Sequence, residues 1–172
     1  ILEGEEAEFQ EYTLVKFETE IDGADVTAPM ATLRPETVRG VTNAFVDPAA
    51  DYVVAEVDGE FWFVSASAAA KLGLQGHDVE IRYEYTGRDL VGKRVTNPVT
   101  GEDVLVLPAG FVDADNATGV VMAVPAHAPD DYLALQEATA AADDMGDYGI
   151  DPDEVRAFEP VPILTIEGYG EI

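Results

Sequence analysis

The sequence predicts a β-rich mixed α/β fold: a small closed β-barrel core with helices packed around it. Three observations carry that expectation. β-Branched and aromatic residues alternate in short runs, Asp-Gly, Asn-Pro and Thr-Gly pairs punctuate the chain between those runs, and only one segment has the length of a substantial helix. At 172 residues and 47% hydrophobic composition, the chain can fill one sizeable core, and residues 1–172 read as a single domain.

Each element follows from local chemistry. Residues 11–21 alternate Thr13, Val15, Phe17, Thr19 and Ile21 against Tyr12, Leu14 and Lys16, which is a strand, and Asp22-Gly23 turns it. Residues 30–33 read as a short strand leading into Pro35, suited to a first helical turn because its missing N–H would be unpaired there anyway, and Gly40 ends that turn. Residues 51–57 and 60–65 form a hairpin around Asp58-Gly59. Ser65 or Ser67 caps an Ala-rich helix that stops at Gly73. Val79, Ile81, Tyr83 and Tyr85 alternate in a further strand, and residues 104–107 and 120–124 are apolar enough for burial on both faces. After Pro129 comes the long helix, residues 130–142, with Leu133, Leu135 and Ala138 among its apolar positions, and residues 161–166 read as a last strand.

Composition excludes several classes. Thirty-five Asp and Glu stand against nine Lys and Arg, a formal net charge of −26. Regular β-patterning and apolar content rule out wholesale disorder, so the charge reads as adaptation to high salt, where screening relieves self-repulsion. Zero cysteines leave no disulfide framework, thiolate nucleophile or cysteine metal site. No run approaches the ~20 apolar residues of a membrane span. The start at Ile1-Leu2-Glu3 has no signal-peptide pattern and no initiator Met, so the expectation is a cytoplasmic piece of a longer polypeptide. There is no nucleophile elbow, phosphate-binding glycine loop, dinucleotide fingerprint or histidine pair at metal spacing.

Two stretches hold the chemistry that remains. Residues 32–37 offer Thr32, Arg34 and Thr37 across a strand-to-helix corner, and residues 119–131 run an apolar strand into small residues, His127 and the pair Asp130-Asp131. Alone, each has an ordinary explanation: threonines cap helices, Arg34 pairs with a carboxylate, one aspartate caps the helix, and His127 and His77 are surface turn residues. Together they suit an amino acid esterified to a ribose, with a carboxylate for the ammonium, hydroxyls for ester and water, and Arg for phosphate or adenosine.

Ala31-Thr-Leu-Arg-Pro-Glu-Thr37 with Gly40-Val-Thr-Asn43, Asn97-Pro98, Leu107-Pro108-Ala109, Asp115 through Pro129 and Glu167-Gly-Tyr-Gly170 resembles the inserted editing (CP1) domain of archaeal-type leucyl-tRNA synthetases over nearly the whole chain. The resemblance implies that family's fold, a barrel ringed by helices and inserted into a class I synthetase. It implies that Asp131 anchors the substrate ammonium, Thr32 helps hold the ester or water, Arg34 contacts the terminal adenosine and Thr37 clashes with leucine. Met122, Val124 and Ala126 would line the side-chain pocket. His127, a substrate-binding candidate, lies in the same turn as the aspartates and could act as a base. Leu33 and Ala128 stand where bacterial members often have threonine and aspartate, which puts more weight on Thr32 and Asp131.

The implied reaction is hydrolysis of tRNA-Leu mischarged with isoleucine, norvaline or methionine. A synthetic pocket gains only ~1 to 3 kcal/mol from one methylene, so a second, differently shaped sieve is needed. The implied partners are the tRNA-Leu 3′ end and the catalytic body of the synthetase, which would use ATP and Mg outside this domain. The domain itself is expected to be monomeric and to need no cofactor, metal or membrane. With no basic footprint of its own, it would rely on the body for most tRNA affinity. The competing readings are a non-hydrolytic module that binds an amino acid or tRNA end, and the editing domain of a valyl or isoleucyl synthetase.

Overall fold

The computed structural model describes residues 11–166 and 170–171. The resemblance motif at Glu167–Gly170 therefore lies mostly outside the described residues, as does the acidic start of the chain.

β1 (Thr13–Ile21) and β2 (Ala24–Thr32) form a hairpin in continuous register from Thr13↔Thr32 to Ile21↔Ala24. Its turn holds Asp22 and Gly23 at φ 53° and 82°, the left-handed pair that matches strand twist. β2 is much longer than residues 30–33 alone, because pairing with β1 imposes strand on a weakly patterned Ala, Thr and Pro stretch. A 3₁₀ helix (Pro35–Gly40) leads into β3 (Asn43–Val46), which is buried throughout.

β4 (Asp51–Val57) and β5 (Glu60–Ser65) make the expected hairpin, with Asp58 and Gly59 both at positive φ. Ser65 Oγ accepts the Ala68 N–H at 3.1 Å and caps α1 (Ala66–Leu74). Val53, Ala55 and Val57 pack with α1 residues Ala68, Ala69 and Leu72 in a small core, while Tyr52 and Val54 join the main one. Covering on both faces explains why β4 reads as a nearly unbroken apolar run.

β6 (Val79–Thr86) pairs with β4 across a bulge between Val54 and Ala55. Its alternation does not produce a buried face: β6 ends the sheet, and Ile81 and Tyr83 are exposed. β7 (Arg94–Thr96), β8 (Asp103–Pro108) and β9 (Val120–Ala123) follow. Then come α2 (Pro129–Ala140), a 3₁₀ segment (Ala142–Tyr148) and α3 (Pro152–Arg156). The expected strand over residues 161–166 shrinks to β10 (Thr165–Ile166), paired with β11 (Gly170–Glu171). No helix of the described residues is long and apolar enough to cross a membrane.

The closed barrel is a correction. Nine strands form one open sheet, in the order β6-β4-β5-β2-β1-β7-β8-β3-β9. β9 passes close to β2, yet no ladder joins them. The sheet is weakly stitched where it bends: β2 meets β5 at the single pair Thr27↔Trp62, and β1 meets β7 at Glu18↔Thr96. β2 also carries Pro29, which has no N–H to offer a closing strand. The result is a mixed α/β fold with a curved sheet around the core of Phe17, Met30, Phe45 and Leu107.

Candidate functional site

The start of β9 is fixed from three sides. Gly119 sits at φ 76°, and a Cβ there would lie 2.7 Å from Ser65 Cβ, so only glycine fits. Its carbonyl accepts the Tyr52 hydroxyl at 2.5 Å, and the Ser65 N–H donates to the Thr118 carbonyl at 2.9 Å. β9 then leaves the sheet through a tight turn in which the Val124 carbonyl accepts the N–H groups of both His127 and Ala128. Pro129 opens α2, which places Asp130 and Asp131 within its first turn, where the positive end of the helix dipole favours carboxylates.

Neither aspartate caps the helix. The cap position is Ala128, without a side-chain bond, because Pro129 starts the helix ahead of both. Asp130 is exposed, whereas Asp131 is buried and turns back so that Oδ2 accepts the Val124 N–H at 2.8 Å. Burial pushes the Asp131 carboxyl above its ordinary pKa; the Val124 hydrogen bond and the Arg34 charge oppose that shift, and Asp130 adds to it. Among the described residues Asp131 has no ion pair.

The corner at residues 32–37 lies beside this turn. Arg34 is exposed and its Nη2 donates to the His127 carbonyl at 3.0 Å, which joins the two stretches across 93 residues of chain. The expected ion pair of Arg34 with a carboxylate is absent among the described residues. Thr32 Oγ1 accepts the Arg34 N–H at 3.0 Å, so its own hydroxyl proton is free to donate outward. Thr37 is buried and donates its hydroxyl to the Arg34 carbonyl at 2.7 Å.

Of the other expected residues, Met122 and Val124 belong to the main core, with 5% exposure each. Ala126 and His127 are half-buried and line an open groove of ≈ 450 Å³ with Pro125, Ala128, Pro129, Tyr132 and Leu133. His127 is not a plain surface residue, because its Nε2 accepts the Ile163 N–H at 3.0 Å. His77 is also engaged: its Nδ1 lies 2.6 Å from Asp58 Oδ2 at the β4–β5 turn, and that bond holds the Asp58 carboxyl below its usual pKa.

Sequence reasoning missed how the corner is held. The 3₁₀ helix has no side-chain cap; instead buried Asn97 donates Nδ2 to the Val38 carbonyl at 2.8 Å. The Thr42 N–H donates to the Ala123 carbonyl at 3.0 Å, tying the helix exit to β9. Asn43, fully buried in β3, keeps an Oδ1 with no hydrogen-bond partner among the described residues. Local pattern gives no sign of these two contacts, Asn97 to Val38 and Thr42 to Ala123, which span 59 and 81 residues. No cluster of three or more metal-ligating side chains occurs among the described residues.

Comparison with known proteins gives the family. A family model described as the editing domain of leucyl-tRNA synthetase matches residues 12–139, which include both stretches that meet at Arg34 and His127. The chain belongs to the leucyl-tRNA synthetase editing-domain family. The leucine–tRNA ligase of Pyrococcus furiosus is 47% identical over 175 residues, covering 99% of this chain and 18% of that protein. That of Archaeoglobus fulgidus is 48% identical over 170 residues, with the same coverages. This editing domain thus spans about a fifth of the length of the curated relatives it matches.

Solved structures agree with the fold. GlLeuRS-CP1 superposes at a TM-score of 0.81 with 30% identity, covering 94% of this chain and 74% of that one. The editing domain of the Plasmodium falciparum cytosolic leucyl-tRNA synthetase superposes at 0.82 with 17% identity, covering 95% and 77%, and supports the fold alone.

Proposed function

We propose that this editing domain hydrolyses the ester of tRNA-Leu carrying isoleucine, norvaline or methionine. The observation that carries the reading is the Asp131 carboxylate: buried, tethered through Val124, without an ion pair among the described residues, and joined to the threonine corner by the Arg34–His127 bond. A buried carboxylate without a cation is costly, and an α-ammonium is the partner that would relieve it. Water adds to the ester carbonyl, the bond to the ribose oxygen breaks, and free amino acid leaves with an uncharged tRNA end. Thr32 donates its hydroxyl to the ester or the attacking water, and positioning with oxyanion stabilisation supplies the rate.

Arg34 meets the terminal adenosine or its phosphate, and the methyl of Thr37 excludes the γ-branched leucyl group. Met122 and Val124 support the side-chain pocket from within the core, and Ala126 borders it. No cofactor or metal acts within the domain. Its partners are the tRNA 3′ end and the catalytic body of a cytoplasmic synthetase, and the domain has no self-association of its own. The net charge of −26 supports a salt-adapted, haloarchaeal setting, in which screening by concentrated salt lets so acidic a surface approach RNA.

The test is deacylation of isoleucyl-tRNA-Leu by the full-length synthetase and its Asp131→Asn variant. The variant keeps an acceptor for Val124 but loses the charge, and its deacylation should fall by at least about a hundredfold, the scale of a lost charged contact. Undiminished deacylation would remove Asp131 from the site, and tight binding without hydrolysis by the wild type would favour the binding-module reading.

A further inference from the structure

His127 joins three segments that are far apart in the chain. Its carbonyl accepts Arg34 Nη2 at 3.0 Å, and its ring Nε2 accepts the Ile163 N–H at 3.0 Å. The ring also lies against Gly40: a Cβ there would be 3.4 Å from His127 Cδ2, 2.9 Å from the Val161 carbonyl oxygen and 3.1 Å from Ile163 Cγ2. Glycine at position 40 therefore allows the ring and residues 161–163 to pack onto the end of the 3₁₀ helix that Arg34 begins.

These contacts decide what the ring can do. An Nε2 that accepts a backbone N–H carries no proton of its own, which leaves Nδ1 as the N–H of the ring. The lone pair a general base would use is already occupied. Meanwhile Arg34, in a chain with 35 Asp and Glu, has no carboxylate partner among the described residues and is held by the His127 carbonyl instead. A guanidinium kept off carboxylates retains donors for an anionic or adenosine ligand.

We infer that His127 is a positioning residue for the hydrolysis proposed above: the ring, latched to Ile163 and packed on Gly40, fixes the turn whose carbonyl aims Arg34, and it transfers no proton in the reaction. This rests on the editing reading. Glutamine separates the two roles, because its Oε1 can accept the Ile163 N–H while it cannot act as a base. Loss of the latch releases Arg34, which weakens substrate binding rather than the chemical step.

The experiment compares wild type, His127→Gln, His127→Ala, Arg34→Ala and the double alanine variant of the full-length synthetase on isoleucyl-tRNA-Leu. Thermal unfolding and hydrogen exchange at the Ile163 amide are followed in parallel. His127→Gln should keep kcat and KM within about threefold, and His127→Ala should raise KM about tenfold with little change in kcat, the scale of one lost positioning hydrogen bond. In the Arg34→Ala background the second alanine should add less than about twofold, since it acts through Arg34. Ile163 exchange should quicken in His127→Ala and stay slow in His127→Gln. A collapse of kcat in His127→Gln, fully additive alanine effects, or unchanged Ile163 exchange in His127→Ala would overturn the assignment. A wild type that does not deacylate would instead overturn the editing reading, while the exchange result still judges the latch.

Discussion

Asp131 Oδ2 accepts the Val124 backbone N–H at 2.8 Å, closing the β9-to-α2 turn with the same carboxylate to which the proposed reaction assigns the substrate ammonium. On that proposal structural and chemical roles share one side chain, and two substitutions separate them. Asp131→Asn retains an acceptor for Val124, whereas Asp131→Ala leaves a buried N–H without a partner. Asp131→Ala should be less stable than Asp131→Asn by about 1 to 3 kcal/mol, while both lose deacylation. Equal stability by chemical denaturation would show that the Val124 bond does not hold the turn.

The buried charge gives a pH dependence of definite sign. Burial raises the folded pKa of Asp131 above its ordinary 3.8, so between the two values the native state holds a proton that the unfolded chain has released. Stability therefore falls as pH rises through that window, and the full cost persists above it. At neutral pH Asp131→Asn should unfold at a higher temperature than wild type, with the gap closing once both states are protonated. A variant less stable than wild type at neutral pH would mean that the ionised carboxylate is stabilised by more than Val124.

Thr37 already donates its hydroxyl to the Arg34 carbonyl, so the proposed exclusion of leucine would fall to its methyl. Thr37→Val keeps the branch and should still spare leucyl-tRNA-Leu, at a stability cost of about 0.5 to 1.5 kcal/mol for the lost bond. Thr37→Ala removes the branch and should hydrolyse the leucyl ester about 10- to 200-fold faster than wild type, the range one methyl clash can command. Stable leucyl-tRNA in the presence of Thr37→Ala would place the selectivity elsewhere.

The acidic surface has few internal partners. The ion pairs of the described residues lie in partly or fully exposed settings and engage only Lys16, Arg82, Arg94 and Arg156 as fixed cations. Exposed pairs of this kind add little stability. Self-repulsion should dominate at low salt, so the unfolding temperature should climb as KCl rises from about 0.1 M to about 2 M, while the screening length drops from ~10 Å to below ~3 Å. A flat or falling melting curve would contradict salt adaptation.

Much of this was legible in the sequence where the determinants are local. The β4–β5 hairpin, its Asp58-Gly59 turn and the Ser65 cap follow from neighbouring residues and appear as expected. What could not be read depends on distant partners. The first half of β2 exists because β1 pairs with it, and Ile81 and Tyr83 stay exposed because their side chains stand on a sheet face that the described residues leave uncovered. Closure into a barrel was inferred from many short strands, but closure depends on ladder bonds between β2 and β9 that a strand count does not reveal. At the site, the residue types at 32–37 and 124–131 were readable. The reach of Asp131 to Val124, of Arg34 to His127 and of His127 to Ile163 was not. Each of those bonds answers to the packing of a turn rather than to a pattern along it.

The most direct measurement is the rate at which the full-length synthetase, in concentrated KCl, deacylates isoleucyl-tRNA-Leu and leucyl-tRNA-Leu prepared on the same tRNA. Faster hydrolysis of the isoleucyl ester by at least about tenfold is the predicted result, since one branched-chain clash amounts to ~1 to 3 kcal/mol. Equal rates, or a preference for the leucyl ester, would contradict a site in which the Asp131 carboxylate holds the ammonium and the Thr37 methyl selects what is destroyed.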